Sequence, residues 1–257
     1  MMRARLALIA TLTGGCVVHI ATDSDSVEFD EPVIGVVTDL GAGDVIITGA
    51  DTVGAVVYRD LEWSGEEPPE VSARVEDGVL YLTADCDEKI ICRVNHEVIV
   101  SEAIWSEIAT GSGSVTIRGL DEGAVIETGS GDISLVKVYG DITAETGSGE
   151  VSIEDGIGNL DLSTGSGDVT VRDALTAVLI LSTGSGDVDV DISDGLNLAD
   201  ISTGSGDVEM AVPAGPYDLD ISTGSGDVEL SNVTESSDSD RIIDISTGSG
   251  DVRVMGQ

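Results

Sequence analysis

The chain is 257 residues long and sets 49 Asp and Glu against 11 Lys and Arg, a formal charge of −38 at neutral pH. Such a surface excludes nucleic acid and anionic lipid headgroups as partners, because affinity for either rests on Lys and Arg neutralising phosphate. Only 3% of the residues are aromatic, yet 41% are hydrophobic, which is too much apolar side chain for a disordered polyanion and enough to build a core.

The first predicted element is a secretory signal over residues 1–15. Arg3 and Arg5 precede an apolar run over residues 6–12, then small residues and Cys16, the order of charged, apolar and cleavage regions in exported chains. The run is about half of the ~20 residues that a membrane-crossing helix needs, and no later uncharged segment approaches that length. Thr13-Gly14-Gly15-Cys16 resembles the lipobox of bacterial lipoproteins, with Leu12 one place further from the cysteine than in the family pattern. The resemblance implies cleavage before Cys16, lipidation of its thiol and a protein anchored to the cell envelope. Val17 stands where lipoproteins kept at the inner membrane carry Asp, so the outer membrane is favoured. Residues 16–28, polar and acidic after Ile20, read as a tether.

Strand-like runs follow at residues 33–37, 45–47, 55–58, 71–75, 79–83 and 98–100, with a Pro-containing loop at 65–70. Residues 29–109 are therefore expected to form divergent N-terminal β coils. With Cys16 assigned to lipid, Cys86 and Cys92 remain as an even pair, which in an exported chain reads as a disulfide. Zinc is the weaker reading, since there is no second Cys pair and His96 is the only histidine nearby. Trp105 is expected to pack at the entry to the first regular coil, and Trp63 has no assigned environment.

From Thr110 onward the chain repeats itself. Thr-Gly-Ser-Gly followed by Asp, Glu or Ser and then Val or Ile occurs eight times, starting at Thr110, Thr128, Thr146, Thr164, Thr183, Thr203, Thr223 and Thr247. The spacings are 18, 18, 18, 19, 20, 20 and 24 residues, and Gly41-Ala42-Gly43-Asp44-Val45 is a degraded copy. Between the motifs lie two runs of strict alternation, such as Val169 and Val171 or Leu160 and Leu162, the period of half-buried strands. A unit this short cannot bury its own apolar face, so units must stack. The predicted fold is all-β, a parallel β-solenoid (β-helix-like) with 18–20 residues per coil. Residues 110–257 supply the regular coils, continuous with 29–109, and the crossover preference makes them right-handed. The chain ends at Gln257 just after a first strand, which leaves an edge for end-to-end self-association.

The units from Thr110 to Val252, with Val75-Glu76-Asp77-Gly78-Val79-Leu80 upstream, resemble the bacterial putative-adhesin family of exported repeat domains over residues 29–257. The resemblance implies an adhesin-like or scaffold solenoid and brings no binding residues with it.

The residue after each Gly-Ser-Gly gives an acidic ladder of Asp132, Glu150, Asp168, Asp187, Asp207, Asp227 and Asp251. Carboxylates one strand spacing apart repel by roughly 1 kcal/mol per pair even at the dielectric of water, so something must offset them. Three readings are open. Each carboxylate caps amides of its own turn, as Asp does in Asx-turns. The ladder binds calcium, helped by Asp189, Asp191, Glu209 and Glu229, an arrangement similar to the RTX β-roll except that the motif comes once per 18 residues. Or salt in the surroundings screens the charge. Partners consistent with such a body are an anionic polysaccharide bridged by divalent cations, or an envelope protein docked on a solenoid edge. Catalysis has little footing: eight equivalent serines at corners are turn residues, only His19 and His96 could serve as a base, and no helix or lysine follows the glycines to make a phosphate loop. The chain reads as a non-enzyme.

Overall fold

Alternation in the sequence becomes alternation of burial in the folded chain. The computed structural model describes residues 20–86 and 89–257, and among them there are strands and turns but no helix. The predicted signal, the lipobox and Cys16 lie outside the described residues.

Seven strands make the N-terminal part: β1 (Ile20–Phe29), β2 (Gly35–Leu40), β3 (Val45–Ala50), β4 (Ala55–Ser64), β5 (Glu70–Glu76), β6 (Val79–Asp85) and β7 (Cys92–Ser101). Regular coils follow as strand pairs: β8 (Trp105–Thr110) with β9 (Val115–Leu120), β10 (Ala124–Thr128) with β11 (Ile133–Val138), and β12 (Ile142–Thr146) with β13 (Val151–Glu154). Next come β14 (Leu160–Thr164) with β15 (Val169–Leu175), β16 (Val178–Thr183) with β17 (Val188–Asp194), and β18 (Leu198–Thr203) with β19 (Val208–Val212). The last five are β20 (Gly215–Thr223), β21 (Val228–Ser231), β22 (Val233–Glu235), β23 (Ile242–Thr247) and β24 (Val252–Gly256).

The strands form two 12-stranded sheets, and each coil gives one strand to each. Within a sheet the coils pair in parallel and in register: Ile133, Val151, Val169, Val188, Val208 and Val252 are successive partners, all at most 1% exposed. Their separations of 18, 18, 19 and 20 up to Val208 equal the spacing of the repeats. The inward rows of the two sheets meet in one long core. This is the solenoid that the repeat predicts.

The N-terminal part is not simply a set of divergent coils. β2–β3 and β6–β7 stack in parallel as expected, but β4 runs antiparallel to β7, β5 antiparallel to β6, and β1 antiparallel to β4 along all ten residues. The expected tether is thus a strand from Ile20 onward. Its apolar pattern is too weak to reveal it, because an edge strand buries little. Val27 and Phe29 are half-covered, and the Arg59 guanidinium makes a two-pronged ion pair with Asp25 at 2.6 and 2.8 Å. Leu61, Trp63 and Val94 build a second small core here with Ala21, Val71, Ala84 and Cys92. The Cys86–Cys92 disulfide forms, with Cα atoms 5.7 Å apart, where the chain crosses from β6 in one sheet to β7 in the other. Together these elements cap one end of the solenoid. Trp105, at the start of the first regular coil, is 36% exposed, because it sits one residue out of phase with the buried row. Its ring lies against Gly35, where an added Cβ would come within 2.4 Å of it.

Coil order departs from chain order at both ends. β2–β3 lies between β6–β7 and β8–β9, and β23–β24 lies between β18–β19 and β20–β21. The chain terminus is therefore inside the stack, with β24 paired on both sides, and the open edge expected at residues 251–257 belongs instead to β20 and β21.

Candidate functional site: the Gly-Ser-Gly corner and its acidic ladder

At each corner the chain passes from one sheet to the other through Thr-Gly-Ser-Gly-Asp. The threonine ends a strand with its side chain inward: Thr128, Thr146, Thr164, Thr183, Thr203 and Thr247 are 2–6% exposed. A buried hydroxyl needs a partner, and each Oγ1 donates to the carbonyl of the second glycine of the adjacent coil, from 2.9 Å for Thr146 and Gly131 to 3.4 Å for Thr203 and Gly186. The glycines let neighbouring corners approach that closely. Gly206 has φ +153°, and a Cβ there would fall 1.9 Å from the Gly186 carbonyl oxygen.

The acidic residue completes the corner. The Asp132 carboxylate accepts the amide N–H of Glu150 at 2.9 Å, Asp168 accepts that of Asp187 at 2.8 Å, and Asp187 accepts that of Asp207 at 2.9 Å. Asp207 accepts the amide of Asp251 at 2.8 Å and Asp251 that of Asp227 at 3.0 Å. Each carboxylate thus caps an amide of the next coil, not of its own turn. This explains why Asp dominates the position. Glu150, one methylene longer, accepts nothing from Asp168, and Ser114 reaches the Asp132 amide only at 3.4 Å.

The ladder extends beyond the predicted set. Asn95 accepts from the Asp44 amide and Asp44 from the Ser114 amide, both at 2.9 Å. The degraded copy at Gly41 pointed to Asp44, whereas Asn95 has no glycines around it and no local signal. Of the additional acids, Asp189 pairs with Arg172 at 2.8 Å and Glu229 with Arg253 at 3.5 Å.

On the outer face of the other sheet Asp200, Asp244 and Asp220 are in-register neighbours. Partial burial, then Asp200 and Asp220, push the Asp244 carboxyl above the usual carboxylate range. Among the described residues no group of three or more His, Cys, Asp or Glu converges to hold one metal ion. A rung offers at most one carboxylate, in most rungs with one oxygen already engaged, well short of the six to eight oxygens of a calcium site.

The one histidine in the described region is far from a corner base in character. His96 is 1% exposed, inward-facing on β7, its Nδ1 3.2 Å from the Val94 carbonyl oxygen. Burial foremost lowers its pKa to about 4.

A stacked, two-sheet solenoid with glycine corners is the architecture against which relatives can be judged. Residues 136–256 match the family model described as Toastrack DUF4097. The match runs from within β11 to the end of β24. No functionally curated protein matches the chain. Among solved structures, a Parabacteroides distasonis protein described as a putative adhesin superposes with a TM-score of 0.59 at 12% identity, over 90% of this chain and 96% of that one. A Bacteroides fragilis protein with the same description gives 0.50 at 12% identity, over 90% and 97%. A second P. distasonis protein, described as a putative lipid binding protein, gives 0.51 at 13% identity, over 90% and 96%. At such identities the likeness is one of fold, and it reaches beyond the Toastrack match into the N-terminal cap.

Proposed function

We propose that the protein is a non-enzymatic, exported lipoprotein, anchored through Cys16 to the cell envelope, whose acidic solenoid serves as an adhesin-like scaffold. The observation that carries this reading is the corner ladder. Its carboxylates line one edge at no more than one per coil, in most rungs one oxygen is spent on holding the next coil, and except at Asp251, which also meets Arg253 at 3.6 Å, these acidic residues are exposed. A rigid, evenly spaced row of charge is a multivalent surface, in which weak contacts at each rung add through effective concentration. Divalent cations, calcium above all, would bridge that row to an anionic polysaccharide without a closed site on the chain. The adhesin descriptions of two structural neighbours agree with this role, and the outer membrane remains the favoured anchor site.

Circular dichroism and thermal melting of the protein in chelator, in calcium and in sodium chloride of equal ionic strength test the role of the ladder, alongside calcium-dependent retention on immobilised alginate. The expected result is a β-rich spectrum in all three conditions, with alginate retained only in calcium. A chain that folds only in calcium would replace this reading with an ion-structured module, and no retention in any condition would remove the polysaccharide. Metabolic labelling with a clickable palmitate tests the anchor: label on the wild type and none on Cys16→Ser is expected.

A further inference from the structure

The two ends of the solenoid are finished differently. β1, β5 and the second small core cover the N-terminal end, whereas at the other end β21 is the last strand of its sheet and β20 is followed only by the three-residue β22. Val228 and Leu230, inward-facing by register, are each 44% exposed, while Val252 and Val254, their partners one coil inward, are 0% exposed. Leu219 and Ile221 are only partly covered, against 0% for their partners Ile243 and Ile245. β21 pairs on one side alone, with β24. On its outer side β20 is paired by β22 only over Gly215, Pro216 and Tyr217, which leaves the backbone edge from Asp218 to Thr223 bare. The ladders stop here too. In the inner coils the carbonyl of the second glycine receives a threonine hydroxyl and the aspartate receives an amide, but among the described residues nothing donates either bond to the Gly226 carbonyl or the Asp227 carboxylate.

What fits such an end is a further strand, and the charge says of which kind. Residues 215–241 hold seven acidic side chains and one basic one, Arg241, whose guanidinium is already stacked on the Tyr217 ring at 4.0 Å. A second copy would bring like charge to like charge. The face is also small: two strands about six residues long and ~10 Å apart give roughly 400 Å² per partner, about half of what a stable interface buries. A basic strand would add ion pairs to main-chain hydrogen bonds in the manner of β-augmentation.

We propose that the open β20–β21 coil is a docking site for an extended segment of another protein, apolar at alternate positions and rich in Lys or Arg at those between, which adds as the next rung. This is independent of the polysaccharide reading, since it uses the end of the solenoid and not the corner edge.

The test is titration of the full chain with a fluorescent nonapeptide of alternating Lys and Val. Lys-Pro and Glu-Val peptides of the same length are the controls, the first keeping the charge but having no amide to donate at each proline. Expected are binding by Lys-Val, at least about ten-fold weaker binding of both controls, and a loss of about ten-fold in Leu230→Gln, which alters no charge. Hydrogen exchange on the wild type should show new protection at Val228 and Leu230 and not at β1, a readout that stands even if the variant folds poorly. Equal binding of Lys-Pro would mean general attraction to a polyanion and would overturn the proposal, as would full affinity in a folded Leu230→Gln. A wild-type dimer by light scattering that Leu230→Gln abolishes would assign the site to a second copy instead.

Discussion

Acidification should strike the protein at a group built to stay neutral. His96 faces the core between Val94 and Val98 on β7, with Nε2 unpartnered, and its register neighbour Arg59 presents a buried guanidinium tied to Asp25. Burial is the largest influence on the imidazole; the Val94 carbonyl and Asp25 favour the proton, Arg59 opposes it, and the pKa falls to about 4. An imidazole in the unfolded chain titrates near 6.5. As pH drops below that value the unfolded state takes up the proton first, so stability declines, and the decline is complete only once pH passes the folded value. The gap of about 2.5 units is worth about 3 kcal/mol, or roughly 6–12 °C in melting temperature for a chain of this size. Urea unfolding by circular dichroism at pH 7, 6, 5 and 4, on wild type and His96→Leu, separates this from the 49 carboxylates, which both proteins share. The variant should gain about 3 kcal/mol on the wild type between pH 7 and 4. Two curves that run parallel across that range would refute the reasoning.

Three further outcomes follow from the corners and the outer face. Asp187→Ala should cost about 1 kcal/mol by freeing the Asp207 amide, while Asp187→Asn, which keeps the acceptor and sheds a charge, should melt at or above wild type; an Asn variant as weak as Ala would mean that the charge, not the hydrogen bond, holds the rung. Asp244→Asn should raise the melting temperature at neutral pH in low salt, because its carboxyl is held above the usual range and stability is lost as pH rises through that range. The gain should shrink in high salt and vanish in acid, and a gain indifferent to both would point to packing. Gly206→Ala should lose ~2 kcal/mol or more, as its Cβ has no room beside the Gly186 carbonyl and its φ of +153° disfavours any side chain; a wild-type melting curve would show that the corner can relax.

The sequence by itself determined the coil. Strand alternation and the Thr-Gly-Ser-Gly spacing are local properties, legible one unit at a time, and they imply stacking because a single unit cannot bury its apolar face. The acidic ladder was visible for the same reason, as was the Cys86–Cys92 bridge. What each carboxylate does was not, since its donor lies a coil away and only the stacked backbone brings the Asp207 amide to the Asp187 oxygen. Nor was β1 readable: its residues 22–26 are all polar, and it is a strand because β4 offers an edge and Arg59 a charge to meet Asp25. Coil order was decided by tertiary structure alone. The 20 residues between Thr203 and Thr223 equal the spacing before them and permit direct stacking, yet β23–β24 enters between, because one repeat fits against another equally well whichever comes first in the chain. Register depends on the corner chemistry that all repeats share, whereas the choice of neighbour depends on which rows the whole stack can bury. That choice puts Ile243, Ile245, Val252 and Val254 inside and leaves Val228 and Leu230 at the open end.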